Sequence, residues 1–570
     1  MRLSPQRGCR GNRLLPVGLR GWGLAAILMI AVAVQPRHTE AQAACADPKA
    51  GDFKKVMLSP RGLLSEPVEL TAANDGRVFV AERGGRIAVY NPGTGQTTIA
   101  ASLSVADMGG DHGGLLSVAA GPTFREDHWL YVLYAPRALW NGNSSFALGK
   151  FSYRLARFRV VGDKLDLPSE QTLLEYGQQP ESHAAGSMIF GKDGNLFFST
   201  GDNSRPSVSD QFSPMDEAPG HEYADDQRST ANTNDLRGKI IRIHPEPALV
   251  NGRYYTIPKG NLFPAAADGS PGTEKTRPEI YTMGHRNPYR IHADAVTGRL
   301  FIGEFGPAAL NDAERGPAGA DEITITDEAG NMGYPYFIKD NQPYCHWDFT
   351  LGKCVAIQGQ TGMKYDPARP VNYSRNNTGL NILPPARPAA IWNHDGSNPD
   401  PVPGLTGCGI GAGPVYHFDP TLESKVKFPP FFDGKEFIYA IKGPWQPKLM
   451  VIPTGPAGPI HQVVATPFAL DFSADIQDME YGPDGSLYVV DYDNNGLFQV
   501  TYTGCLPPVS IRAADRDKDG GWALPRAVAR DGHAGIVIKE VYDVSGRKVW
   551  KLFRKQGSNT RVSSQGRVAE

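Results

Sequence analysis

Asp484-Gly485-Ser486-Leu487-Tyr488-Val489-Val490 reads as a turn followed by a strand. Asp-Gly suits a tight turn, because glycine reaches positive φ without a Cβ clash. The aromatic and β-branched run after it favours a pleated surface. The pattern stands again at Asn74-Asp75-Gly76-Arg77-Val78-Phe79-Val80 and at Asp193-Gly194-Asn195-Leu196-Phe197-Phe198. It returns at Thr297-Gly298-Arg299-Leu300-Phe301-Ile302 and at Asp433-Gly434-Lys435-Glu436-Phe437-Ile438-Tyr439. A degenerate copy is Glu126-Asp127-His128-Trp129-Leu130-Tyr131-Val132. Six hairpins, the closest spaced about 50 residues apart, predict an all-β chain: a six-bladed β-propeller of four-stranded antiparallel blades. A large β-sandwich is the competing architecture.

The uneven spacing implies long insertions within blades. Residues 203–275 and 360–415 are polar and rich in Pro and Gly, and in a propeller such loops gather at one end and build the site. With 40% hydrophobic and 21% charged residues in 570, the composition is that of a folded globular protein. The formal charge of −2 argues against a basic nucleic-acid binder.

Residues 1–43 read as a signal peptide. Arg2, Arg7, Arg10, Arg13 and Arg20 precede the apolar stretch LAAILMIAVAV at 24–34, which is too short to span a bilayer stably. Ala41-Gln42-Ala43 fits a small-residue cleavage site. Removing this segment leaves 52 basic and 59 acidic residues, net −7. The expected location is periplasmic or secreted, with no stable membrane insertion. Cys345 and Cys354 bracket a short polar loop and could bridge in an oxidising compartment. Cys45 and Cys505 flank the 44–505 propeller, where a bridge would fasten its ends; connectivity itself is not legible from sequence. Residues 506–570 form a basic C-terminal extension, a possible partial Ig-like module, with one hairpin in 536–552. Asp515, Asp517 and Asp519 imitate a calcium loop, but its twelfth position is Arg526 rather than Glu.

Residues equidistant from a hairpin turn face each other across its strands. About a centre between Lys192 and Asp193, His183 is matched with Asp202. A carboxylate beside an imidazole fixes its tautomer and stabilises its protonated form, which makes a general base. About Val296, Arg286 is matched with Gly306 and Asn287 with Phe305. A guanidinium, an amide and backbone carbonyls then converge at one open end. Arg suits a planar anion, and carbonyl oxygens are hard ligands for Ca²⁺.

These residues carry a resemblance. His183-Ala184-Ala185-Gly186, then FGKDGNLFFSTGD, then LRGKIIRI at 236–243, resemble the soluble quinoprotein sugar dehydrogenases, the glucose/sorbosone dehydrogenase family. GGLLSVAAGPTF at 113–124, PEIYTMGHRNPYRI at 278–291, FGP at 305–307, DEITITDEAGNMGYPY at 321–336 and YGPDGSLYVVDYDNNGLFQV at 481–500 continue it in order. The resemblance implies a six-bladed propeller holding pyrroloquinoline quinone (PQQ) and Ca²⁺. It assigns His183 as base, Asp202 as its orienting partner and Arg286 as the cation over the quinone. Asn287, Lys442 and His112 join Arg286 in binding the cofactor, and the Gly306 and Pro307 carbonyls hold the metal. The implied reaction is oxidation of an aldose at C1 to the lactone, the electrons passing to an external acceptor, a quinone or cytochrome.

The sequence departs from that pattern in two places. Ser473-Ala474-Asp475-Ile476-Gln477 stands where glucose-oxidising members carry two Arg, and Ser187 replaces an Arg. A non-catalytic sugar- or protein-binding propeller and a Ca²⁺-dependent lactonase-like hydrolase are the rival expectations.

Overall fold

The computed structural model describes residues 45–106, 113–145, 148–180, 182–204, 209–266, 268–393, 408–442, 448–451, 463–465, 475–506, 541–542 and 548–550. Residues 1–43, expected to be a signal peptide, His112, Ser473, Ala474 and the calcium-loop imitation at 515–526 lie outside them. The chain divides into two compact units, Met1–Pro508 and Val509–Glu570. In the second, Val541–Tyr542 and Lys548–Trp550 pair antiparallel.

In the first unit, strand β1 (Phe53–Met57) is followed by a sheet of β2 (Pro67–Ala72), β3 (Val78–Glu82), β4 (Arg86–Asn91) and β5 (Gln96–Ser102). The next sheet is β6 (Leu115–Ala120), β7 (Trp129–Tyr134), β8 (Phe151–Val161) and β9 (Lys164–Gln178). A third holds β10 (Met188–Phe190), β11 (Leu196–Thr200), β12 (Lys239–Val250), β13 (Arg253–Thr256), β14 (Ile280–Met283) and, further on, the two residues Gly330–Asn331. Beside it lie β15 (Asn287–Ala293), β16 (Leu300–Phe305) and β17 (Asp321–Thr326), completed by Ile391–Asn393. Cys408–Val415, Lys435–Lys442, Lys448–Val451 and Val463–Ala465 make the next sheet. Ile476–Tyr481, Leu487–Asp491 and Gly496–Tyr502 form the last, and β1 supplies its fourth strand by pairing Phe53 with Tyr502.

This is an all-β propeller with four-stranded antiparallel blades. Its second strands read as unbroken apolar runs because both their faces are covered, and β3, β7, β11 and Leu487–Asp491 are buried throughout. Neighbouring sheets pack face to face. Phe79 and Val89 meet Val118 and Val132, Phe197 and Ile240 meet Ile291 and Ile302, and Phe301 and Ile323 meet Ile410 and Ile438. Val78 and Val80 meet Val490 and Leu497, which joins the last sheet to the first.

Two expectations need correcting. The sequence predicts six blades of four strands, and five sheets meet that description. The sheet carrying β10 and β11 has six strands, because the 12-residue β12 outruns its neighbours and folds its distal half onto β13. Gly330–Asn331 then adds a parallel pairing to the edge of β14. Asp433-Gly434 is not a tight hairpin either. The chain between Val415 and Lys435 is long, contains the short helix Pro430–Phe432, and only then pairs the two strands antiparallel. Among the described residues no helix is long and apolar enough to cross a membrane. Cys45–Cys505 and Cys345–Cys354 are disulfide-bonded.

Candidate functional site

The first hairpins of two adjacent sheets, β10–β11 and β15–β16, open toward one another. His183 enters before β10 and Asp202 leaves after β11. His183 Nδ1 lies 2.8 Å from Asp202 Oδ1. His183 is largely covered and Asp202 is fully buried. Gly201 makes this meeting possible: a Cβ there would stand 2.2 Å from the His183 carbonyl oxygen. The strand register is centred on Asp193, half a residue from the symmetry read in the sequence. Residues 183–187 lie outside the ladder and absorb the difference.

Asp202 is held from several sides. Ser204 N donates to Oδ1 at 2.8 Å and Ser204 Oγ to Oδ2 at 2.9 Å. Burial pushes the Asp202 carboxyl up, but His183, Arg286 and the Ser204 N–H outweigh it and hold it below the usual range. The Asp202 N–H donates to the Arg286 carbonyl at 2.8 Å, which ties the two sheets together.

Arg286 and Asn287 stand where the second hairpin predicts. Asn287 pairs with Phe305, and a bulge before Arg290 restores a register that would otherwise be half a residue off. Arg286 Nη1 donates to the Phe305 carbonyl at 3.2 Å, and its backbone N–H donates to Glu304 Oε2 at 3.1 Å. Asn287 Oδ1 accepts from Ala185 N at 3.1 Å, linking the His183 loop to the Arg286 loop. Gly306 N donates to Asp321 Oδ1 at 2.9 Å, while Asp321 Oδ2 accepts from Gly409 N at 2.6 Å. A Cβ at Gly306 would overlap the Ala320 carbonyl at 1.6 Å, so glycine is required there. Neither the Gly306 nor the Pro307 carbonyl accepts a hydrogen bond from a described residue, and Pro307 is buried. A buried carbonyl lacking a donor is a fitting cation ligand.

The structure thus brings His183, Asp202, Arg286, Asn287 and the Gly306–Pro307 loop to one region. Lys442 ends its strand opposite Cys408. The 475–477 segment serves the protein itself. Gln477 Nε2 donates to Asp475 Oδ1 at 2.5 Å, and Tyr289 OH donates to Gln477 Oε1 at 2.6 Å. Buried Arg290 donates through Nε to the Gln477 carbonyl at 2.5 Å. Ser187 is buried and donates to Glu69 Oε1 at 3.2 Å.

Sequence reasoning missed Asp226, Tyr334, Glu304 and Asp321. Asp226 Oδ2 and Tyr334 OH lie 2.7 Å apart directly behind Asp202. Asp226 sits in the polar insertion and Tyr334 two sheets' worth of chain later, so no local pattern couples them. Burial, and then the Asp202 charge, push the Asp226 carboxyl far above the usual range.

Residues 64–346 match the family described as Glucose / Sorbosone dehydrogenase. The chain is similar to quinoprotein glucose dehydrogenase B of Acinetobacter calcoaceticus, 25% identical over 341 residues spanning 59% of this chain and 64% of that protein. It is similar to the hedgehog-interacting protein of Homo sapiens, 25% identical over 246 residues, 40% of this chain and 30% of that one. The matches therefore span less than two thirds of these relatives' own lengths. The solved structure of soluble aldose sugar dehydrogenase from Escherichia coli, in its apo form, aligns with a TM-score of 0.45 and 20% identity over 79% of this chain and 99% of that one. With the motifs at 183–202 and 278–307 inside the matched stretch, the chain belongs to the glucose/sorbosone dehydrogenase family.

Proposed function

We propose that the protein is a PQQ-dependent oxidoreductase that oxidises an aldose at C1 to the lactone. The observation carrying this reading is the His183–Asp202 pair set beside Arg286 and the undonated Gly306–Pro307 carbonyls. Two disulfides support an oxidising, periplasmic or secreted, setting. The name of the Acinetobacter relative supports the reaction class.

The residues present fit the reactive end of the cofactor. Among the described residues the Asn287 amide nitrogen has no acceptor, Arg286 offers a cation, and the two loop carbonyls suit Ca²⁺. Arg286, Asn287 and Lys442, with His112, would hold PQQ, and Gly306 and Pro307 would hold the metal. When bound, PQQ supplies a quinone that accepts a hydride.

The geometry supports the following part for the protein itself. With the Nδ1 proton donated to Asp202, Nε2 is the basic nitrogen of His183. It takes the proton of the anomeric hydroxyl, and Asp202 stabilises the imidazolium that forms. Arg286 places positive charge where negative charge develops. An external acceptor, a quinone or cytochrome, takes the electrons onward.

The non-catalytic reading rests on the 475–477 segment, whose polar groups are satisfied internally, and on the relative named for hedgehog interaction. The hydrolase reading lacks a donor set: among the described residues no three His, Cys, Asp or Glu side chains converge on a metal position. Titration of apoprotein with PQQ and Ca²⁺, read by absorbance and by dye reduction over a panel of aldoses, separates these. Saturable PQQ binding with sugar-dependent dye reduction is expected. Absence of PQQ binding with and without Ca²⁺ overturns the proposal in favour of the non-catalytic propeller.

A further inference from the structure

Behind the His183–Asp202 pair runs a line of buried hydroxyl and carboxyl groups. Asp202 Oδ2 is 2.9 Å from Ser204 Oγ, which is 3.4 Å from Asp226 Oδ2, which is 2.7 Å from Tyr334 OH. Ser204, Asp226 and Tyr334 are all buried. Among the described residues, Asp226 Oδ1 has no hydrogen-bond partner.

The protons along this line can be counted. Ser204 has one hydroxyl proton, and the shorter contact gives it to Asp202 Oδ2. Its contact with Asp226 is then favourable only if Asp226 brings the proton, its O–H donating to Ser204 Oγ. Tyr334 OH donates to the same Asp226 oxygen. An ionised Asp226 would leave a charged oxygen buried with no donor, which costs far more than burying a neutral carbonyl oxygen. No described cation forms an ion pair with it. Arg237 is bound to Asp235, Arg228 donates to Gln179 and the Asn203 carbonyl, and Arg286 donates to the Phe305 carbonyl. Lys239 lies further off, its ammonium capped by the carbonyls of Ser229, Thr230 and Arg237.

We infer that Asp226 is a positioning residue for His183, a neutral carboxylic acid whose O–H donates to Ser204 Oγ while the Ser204 hydroxyl donates to the outer oxygen of Asp202. The inference rests on the reading of His183 as the base. Of these two carboxyls, only Asp202 then carries a negative charge. Asp202 Oδ1 then faces His183 and the Ser204 N–H, while its Oδ2 is held by Ser204 Oγ. If Asp226 lost its proton, a second carboxylate would hold the imidazolium too firmly to release what it had accepted.

Two spectroscopic measurements on the apoprotein test this without turnover. The infrared spectrum of wild type minus Asp226→Asn at neutral pH is expected to show a protonated-carboxyl carbonyl band. Histidine NMR, with His183 assigned from His183→Ala, is expected to show its titration midpoint within about 0.3 pH unit of wild type in Asp226→Asn, because a neutral donor replaces a neutral donor. A midpoint lowered by about one unit or more, with no protonated band, would mean that a negative neighbour had been removed, and would overturn the inference. Should Asp226→Asn not fold, Tyr334→Phe serves: loss of its donation shifts the carbonyl band if Asp226 is protonated, and an unshifted spectrum sinks the idea. Dye reduction by His183→Ala tests the base separately, and its failure leaves both spectroscopic outcomes unchanged.

Discussion

His183 and Asp202 are separated by 19 positions in the chain and by 2.8 Å between Nδ1 and Oδ1. The carboxylate is fully buried and carries its charge because the imidazole, Arg286 and Ser204 favour it. Replacing it with an amide keeps the shape and removes the charge. Asp202→Asn is expected to lower dye reduction by about 10²-fold, the scale of a general base's contribution. The imidazolium loses its partner, so the base titrates lower and the acidic limb of kcat/KM moves to lower pH. A pH–rate profile with an unmoved acidic limb would remove Asp202 from the mechanism.

Asp294 and His417 join neighbouring sheets through a 2.5 Å contact. Burial raises the Asp294 carboxyl, but His417 and Thr297 hold it well below the usual range, while the hydrogen bond to Asp294 lifts His417. The lowered acid gives stability above its unfolded pKa that is lost as pH falls through the folded value. The raised histidine gives stability below its unfolded pKa that is lost as pH rises through the folded one. The pair therefore contributes most between about pH 4 and 6.5. Asp294→Asn should cost about 1 kcal/mol in that window and less at pH 9. Urea midpoints at pH 5.5 and pH 9 measure the difference; equal losses at both would contradict the assignment.

The two disulfides should differ in weight. Cys45–Cys505 closes a sequence separation of 460 and Cys345–Cys354 one of 9. In the chain-entropy model the long closure is worth about 6 kcal/mol and the short one about 2–3. Cys45→Ser with Cys505→Ser should lower the denaturant midpoint more than the corresponding double change at 345 and 354. The reverse order would show that the local bridge carries the larger load.

Removing 509–570 should leave the remaining unit folded. All of the propeller's described strands, including Gly496–Tyr502, lie before that boundary. A truncated protein that unfolds in one transition near the full-length midpoint is expected; loss of soluble protein would tie the extension to a blade.

Hairpin symmetry explains what the sequence could reveal of the site. It matches residues across one turn, and so it found His183 with Asp202 and Asn287 with Phe305. It is blind to partners delivered by distant chain, and so it missed Asp226 and Tyr334, 108 residues apart. Turn chemistry located the first hairpin of most sheets for the same local reason. It failed at Asp433-Gly434, where the turn residues follow a long excursion rather than close a hairpin. The extra pairing of Gly330–Asn331 was illegible, because two residues held by a parallel edge carry no periodicity.

Strand β1 has a partner that emerges only at the far end of the chain, with Phe53 set against Tyr502. A polypeptide cut short anywhere before Gly496 would lack that partner. It would hold a strand with an unsatisfied edge, and Val78 and Val80 on the first sheet would lose the cover that Val490 and Leu497 provide. An incomplete product would therefore display an unpaired strand and an uncovered apolar wall, and the pairing of Phe53–Met57 with Gly496–Tyr502 and the packing of Val490 and Leu497 remove both.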